Sequence, residues 1–219
     1  MRKEVVNSIP LVWMRLFNGY DFTQGHYNQL EKFSSEELHE IIAEIAGCHS
    51  SARSLLRNKW LTPPEDILSQ VTFEYEWRVQ NCPHFRNEYD AESWLHELSC
   101  AVIAPLSRVD PGQFELALSF ILQLIRTQED VYNLIATSDG YLWYSALYDM
   151  LLHILVQIIG VQSECLKKRT GEILKKSEVG QFIEEIKCRV QYLQNIEQRD
   201  LSILINHYLS GERTVDYQK

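Results

Sequence analysis

Residues 114–160 read FELALSFILQLIRTQEDVYNLIATSDGYLWYSALYDMLLHILVQIIG, and this stretch decides the fold. In its first half Glu115, Ser119, Gln123 and Arg126 recur every three or four positions and share one stripe of a helix. Phe114, Leu118, Phe120, Ile121, Leu122 and Leu124 fill the rest of the circumference. The second half repeats the arrangement: Ser145, Asp149, His153 and Gln157 line one edge, and Trp143, Leu147, Met150, Leu151, Ile154, Leu155 and Ile158 occupy the other faces. A helix that is apolar nearly all round belongs at the centre of a bundle or in a membrane. Tyr141 to Val161 has the length to span a bilayer, but Asp149 and His153 stand near its middle, so a buried helix is expected and no membrane association.

Working outward, the same 3.6-residue periodicity continues in capped segments. Ser34-Ser35-Glu36-Glu37 forms a capping box before Leu38, Ile41, Ile42 and Ile45, and Gly47 stops that helix. A more polar helix is expected from about Ser50 to Trp60. Thr62-Pro63-Pro64-Glu65 reads as the start of a third helix carrying Ile67, Leu68, Val71, Tyr75 and Val79. Asn81-Cys82-Pro83 breaks it. Asp90 is the expected cap of a fourth, which holds Trp94, Leu95, Leu98, Val102 and Ile103 and ends at Pro105. Asp110-Pro111-Gly112-Gln113 then opens the central segment, which a break near Thr127–Asp130 and a turn at Ser138-Asp139-Gly140 subdivide. Past Gly160 the chain turns charged, with Gly171 and Gly180 as punctuation. No stretch alternates with period two and no repeat of solenoid length is visible. The expectation is an all-α, multi-helix bundle around a central buried helical pair, with a degenerate helical-repeat stack as the alternative. Residues 1–219 are read as a single domain, with 1–30 an irregular N-terminal cover and 178–209 a long C-terminal helix.

Composition narrows the function classes. Thirty acidic against twenty-one basic residues give a net charge of −9, a sign that opposes the counterion release driving nucleic-acid binding. No nucleic-acid partner is expected. Lys167, Lys168, Arg169, Lys175 and Lys176 form the one basic cluster and read as a solvated face. Five scattered cysteines without a CxxC pair imply reduced thiols and a cytoplasmic protein. Glu4, Asn7 and Pro10 interrupt the N-terminal apolar patch, so no signal peptide is expected.

Four constellations could carry chemistry. Asp149 and His153 lie four apart on one helix face, close enough to share a metal or a proton, and Glu92 with His96 has the same spacing. Cys48-His49 and Cys82-Pro83-His84 offer thiol and imidazole groups, but at no zinc-site spacing. No phosphate loop, GxSxG or HExxH occurs. Arg78-Val-Gln-Asn-Cys-Pro-His84 resembles the Arg-x(4–6)-His pattern of HEPN-type helical ribonucleases, although Val79 follows the arginine and Pro83 precedes the histidine. That resemblance implies RNA cleavage by Arg78 and His84. The fourth constellation is aromatic. Trp77, with Phe73, Tyr75 and Arg78, lies partly off the apolar stripe of its helix, which marks an exposed aromatic patch. Leu201, Leu204 and Tyr208 continue the stripe of the C-terminal helix toward a second chain. The reading these features favour is a non-enzymatic protein-binding protein, a regulator, adaptor or inhibitor such as an immunity or antitoxin-type partner, that docks a protein, basic by charge complementarity, or a second copy of itself. It needs no cofactor. The alternatives are a metal-dependent helical enzyme using Asp149 and His153, or the ribonuclease.

Overall fold

The computed structural model describes residues 28–135, 141–161 and 163–176. The expected turn at 138–140, the C-terminal helix with Leu201, Leu204 and Tyr208, and all but the last three residues of the N-terminal cover lie outside them. The described chain is an all-α bundle, without a strand. Helix α1 spans Ser35–Cys48, and α2 spans Ser50–Leu55 before widening into a π-helical turn at Leu56–Leu61. Helix α3 spans Ile67–Gln80. Helix α4, Glu88–Leu98, runs into a second π turn at Ser99–Ile103 and a 3-10 turn at Ala104–Arg108. Then come α5 (Phe114–Arg126), α6 (Gln128–Ile135), α7 (Tyr141–Gly160) and α8 (Glu164–Lys176).

Among the described elements the pair α5 and α7 packs more extensively than any other. Ala117, Leu118, Ile121, Leu122, Leu124 and Ile125 of α5 are buried with Trp143, Ala146, Leu147, Met150, Leu151, Ile154, Leu155 and Ile158 of α7. The two helices differ in their outer faces. Helix α7 is covered almost all round, whereas Ser119, Gln123 and Arg126 of α5 are exposed together with Leu116, so of the two only α7 is enclosed nearly all round as expected. Around α7 sit α4, the 99–108 turns and α8. Among the described residues no helix is long and apolar enough to cross a membrane.

Several helix boundaries depart from expectation for a local reason. Ser34 caps α1 as read, its hydroxyl accepting from Glu37 N at 3.2 Å while Ser34 N donates to the Glu37 carboxylate at 2.7 Å. Thr62, however, looks backward. Its hydroxyl and its amide both donate to Arg57 O, at 2.9 and 3.1 Å, so it closes the π turn, and α3 begins only at Ile67 after a turn over the two prolines. The cap of α4 is Asn87 rather than Asp90: Asn87 Oδ1 accepts from Asp90 N at 2.9 Å, and Asn87 Nδ2 donates to Asp90 Oδ2 at 3.1 Å. Gly171 does not punctuate; it is buried within α8.

The π turn at Ser99–Ile103 has a local cause. In a regular helix Ala101 O would accept from the amide of residue 105, but Pro105 has no N–H and its ring crowds that carbonyl. The turn opens, and the orphaned acceptor finds Asn58 Nδ2 at 2.8 Å, from the other π turn. Asn58 is 0% exposed. A buried carbonyl left without a donor would cost on the order of 1–3 kcal/mol, so this one side chain locks α2 onto the 99–103 turn.

Candidate functional site

From Asn58 a chain of polar contacts leads outward to the surface. Arg57 Nε donates to Asn58 Oδ1 at 2.9 Å, and Arg57 Nη2 donates to Glu74 Oε2 at 2.7 Å. Glu74, on α3, is only 5% exposed. Its other oxygen accepts from Arg78 Nε at 2.9 Å. Arg78 also donates through Nη2 to Ser54 Oγ at 3.1 Å and pairs through Nη1 with Glu97 of α4 at 3.5 Å. Ser50 at the start of α2 hydrogen-bonds the same Glu97. Burying a lone carboxylate would be prohibitive, but a carboxylate held between two guanidiniums is satisfied on both oxygens.

This network forms the floor of a groove of about 350 Å³ between α2 and α3, lined by Ser50, Arg53, Ser54, Arg57, Phe73, Glu74, Trp77 and Arg78. Arg53 Nε and Nη2 donate at 3.0 Å each to Ala46 O and Gly47 O, the last carbonyls of α1, fixing that rim. The opposite rim is aromatic. Phe73 and Trp77, four apart on α3, are 62% and 53% exposed, because Ile67, Val71 and Glu74 take the inward face of the same helix. Trp77 therefore stands where the phase of the apolar stripe places it. Tyr75 does not join the patch: it is half-buried and meets Phe120 edge-on, ring centroids 6.3 Å apart.

The other constellations are taken apart by their surroundings. Arg78 is committed to Glu74, Ser54 and Glu97, while His84 sits exposed in the loop after α3, and no hydrogen bond or ion pair joins them. His153 is mostly enclosed, and burial pushes its imidazole down to about 4, with the Lys59 charge acting in the same direction and the Ser107 backbone against it. Neither ring nitrogen has a partner of good hydrogen-bond geometry. Such a histidine is neutral at neutral pH. Among the described residues no three His, Cys, Asp or Glu side chains converge to hold a metal ion. Cys48, Cys82, Cys100 and Cys165 are free thiols.

Two arrangements were not anticipated. His96 and Cys100, again four apart, place Nε2 and Sγ at 3.7 Å. Burial pushes the Cys100 thiol up to about 12 and the His96 imidazole down, so the pair is a neutral contact rather than a thiolate and its base. The groove's charged floor was also missed, although Arg53/Arg57 and Glu74/Arg78 each carry the four-residue spacing that puts side chains on one helix face. What fold and site together define is an all-α bundle with a pre-built, arginine-floored and aromatic-rimmed groove. A scan against protein-family models, a search of curated proteins and a search of solved structures each found no match to this chain.

Proposed function

We propose that the protein is a non-enzymatic docking protein that binds another protein through the Phe73–Trp77 rim of this groove. The observation that carries the reading is the pairing of two large, half-exposed rings with a floor held rigid by the Asn58–Arg57–Glu74–Arg78 network. Interface hot spots combine aromatic anchors with arginine, and a rigid surface loses little entropy on binding. If a partner removes about 100 Å² of apolar area from each ring, the gross gain is roughly 5 kcal/mol. The enzymatic alternatives lack this support, since Arg78 is spent in ion pairs and His153 is buried and neutral.

Affinity purification from the native host, run in parallel with wild type and with a Phe73→Ala/Trp77→Ala double variant of unchanged helicity, tests the proposal. A protein recovered in near-stoichiometric amount with wild type and lost with the variant is expected. Identical recovery with both would remove the reading.

A further inference from the structure

We infer that the segment seated in the groove is an acidic peptide stretch of the partner, one that sets an apolar or aromatic side chain between Phe73 and Trp77 and a carboxylate against Arg57 and Arg53. This inference rests on the docking reading above and names its chemistry. It also reverses, for this site, the expectation of a basic partner drawn from the net charge of −9.

The charges around the groove carry the argument. Three guanidiniums, Arg53, Arg57 and Arg78, line it with one carboxylate, Glu74; adding Glu97, which pairs with Arg78 from α4, still leaves three positive against two negative. Glu74 has both oxygens occupied, so its charge is spent inward. Arg78 is consumed by the same interior contacts, its side chain only 12% exposed. Arg57 and Arg53 differ. The Arg57 side chain is 57% exposed and uses Nε and Nη2 for Asn58 and Glu74, leaving Nη1 without a partner among the described residues. Arg53 uses Nε and Nη2 for the end of α1 and, among the described residues, likewise leaves Nη1. Two anchored guanidiniums, each with an unspent edge, make a site where a carboxylate gains charge-assisted hydrogen bonds without first having to order the arginines. Beside them the exposed faces of Phe73 and Trp77 have no charge to satisfy and take hydrocarbon. A volume of about 350 Å³ lies at the small end of ligand pockets, room for one large side chain and its neighbour rather than for a whole helix.

Panning a random 12-residue phage-displayed peptide library on the purified full chain tests this, with the enriched peptides synthesised and titrated against wild type, Arg57→Gln, Arg57→Lys, Phe73→Ala and Trp77→Ala. Enrichment of sequences pairing Phe, Trp, Tyr or Leu with Asp or Glu is expected. Their affinity should fall about tenfold or more in Arg57→Gln, fall as far in Phe73→Ala and Trp77→Ala, and be only partly kept in Arg57→Lys. Replacing the peptide's Asp or Glu by Asn or Gln should reproduce the Arg57→Gln loss. Basic or uncharged peptides that still require Trp77 would overturn the inference while leaving the docking reading standing. Failure to enrich any peptide sensitive to these substitutions would overturn it as well, as would a single-stranded RNA 12-mer that binds wild type and is lost in Arg57→Gln.

Discussion

The α5–α7 pair and the polar seam where α2 and its 56–61 turn meet α3 and the 99–103 turn both hold the bundle together, yet by opposite means. Between α5 and α7 the buried residues are aliphatic or aromatic almost without exception, and their burial is non-directional, each side chain adding its own apolar area. Along that seam the buried residues include Ser54, Asn58 and Glu74, and stability depends on hydrogen bonds whose loss strands a partner. The first kind of packing tolerates change of shape and loses stability in proportion to volume. The second fixes geometry, and the candidate groove lies on it. A binding surface needs fixed side chains more than it needs a large core, and the candidate site lies on the polar seam rather than on the greasy pair.

The comparison breaks most visibly if the central pair is weakened. Leu147→Ala, at a fully buried position of α7, should destabilise by roughly 2–5 kcal/mol, measured by urea unfolding at neutral pH, while leaving the groove able to bind. A loss below about 1 kcal/mol would mean that α7 is not the centre of the core.

His153, on the same helix, gives the core a pH dependence. Its imidazole is neutral in the folded protein down to about pH 4, whereas in the unfolded chain it takes a proton near 6.5. The unfolded state therefore binds more protons between those values, and the sign follows: stability contributed by His153 is full above about pH 6.5 and is lost as pH falls toward 4. At 1.36 kcal/mol per unit the loss approaches roughly 3 kcal/mol at pH 4. Carboxylates titrate in the same window, so the measurement is the difference between wild type and His153→Leu across pH 4–7. Wild type should lose stability relative to the variant as pH falls; parallel curves would show that the ring is not desolvated.

Asn58→Ala probes the other region. It strands Ala101 O and releases Arg57 Nε, for an expected loss of about 1–3 kcal/mol. Unlike Leu147→Ala it should also weaken binding at the groove, since Arg57 loses one of its two anchors. Equal stability losses in the two variants with equal binding would erase the distinction drawn here. A partial restoration by Pro105→Ala, which returns an amide N–H four residues beyond Ala101, would sharpen it.

How much of this was readable follows the same division. Helix α7, the α5 core face and the Ser34–Glu37 cap are written in residues within a turn or two of one another, so periodicity and cap chemistry reach them. The exposure of Trp77 was legible for the same reason, because Phe73 and Trp77 fall out of phase with Ile67 and Val71. The caps at Asn87 and Thr62 were misplaced because two acceptable residues stood within a few positions of each other and only the backbone chose. Helix α1 shows a different limit: Leu38, Ile41, Ile42 and Ile45 share one face, yet no residue of α1 is buried, since among the described elements its substantial packing is with α2 alone. Amphipathic pattern reports the capacity to bury a face, not that a face is buried. The 99–103 π turn was out of reach because its logic joins Pro105, through Ala101, to a side chain 43 residues away from Ala101.

The smallest expected effect on stability is the one that bears most on function. Trp77→Ala removes a large ring, and at a core position that would cost roughly 3–5 kcal/mol. Trp77 is half exposed, no hydrogen bond of its side chain ties it to the described residues, and the neighbouring floor is held by Glu74 and Arg78 through contacts that do not involve the indole. Its backbone carbonyl accepts from Asn81 N and Nδ2 at the end of α3, and alanine keeps both bonds. Alanine is also the better helix former. The expected change in unfolding free energy is therefore within about 1 kcal/mol, with thermal and urea midpoints close to wild type. A ring at such a position adds little to the stability of the isolated chain, and its exposed area is available to a second molecule. Urea unfolding of Trp77→Ala decides the point: near-neutral stability combined with lost peptide binding places the ring in an interface, and a loss of several kcal/mol would return it to the core.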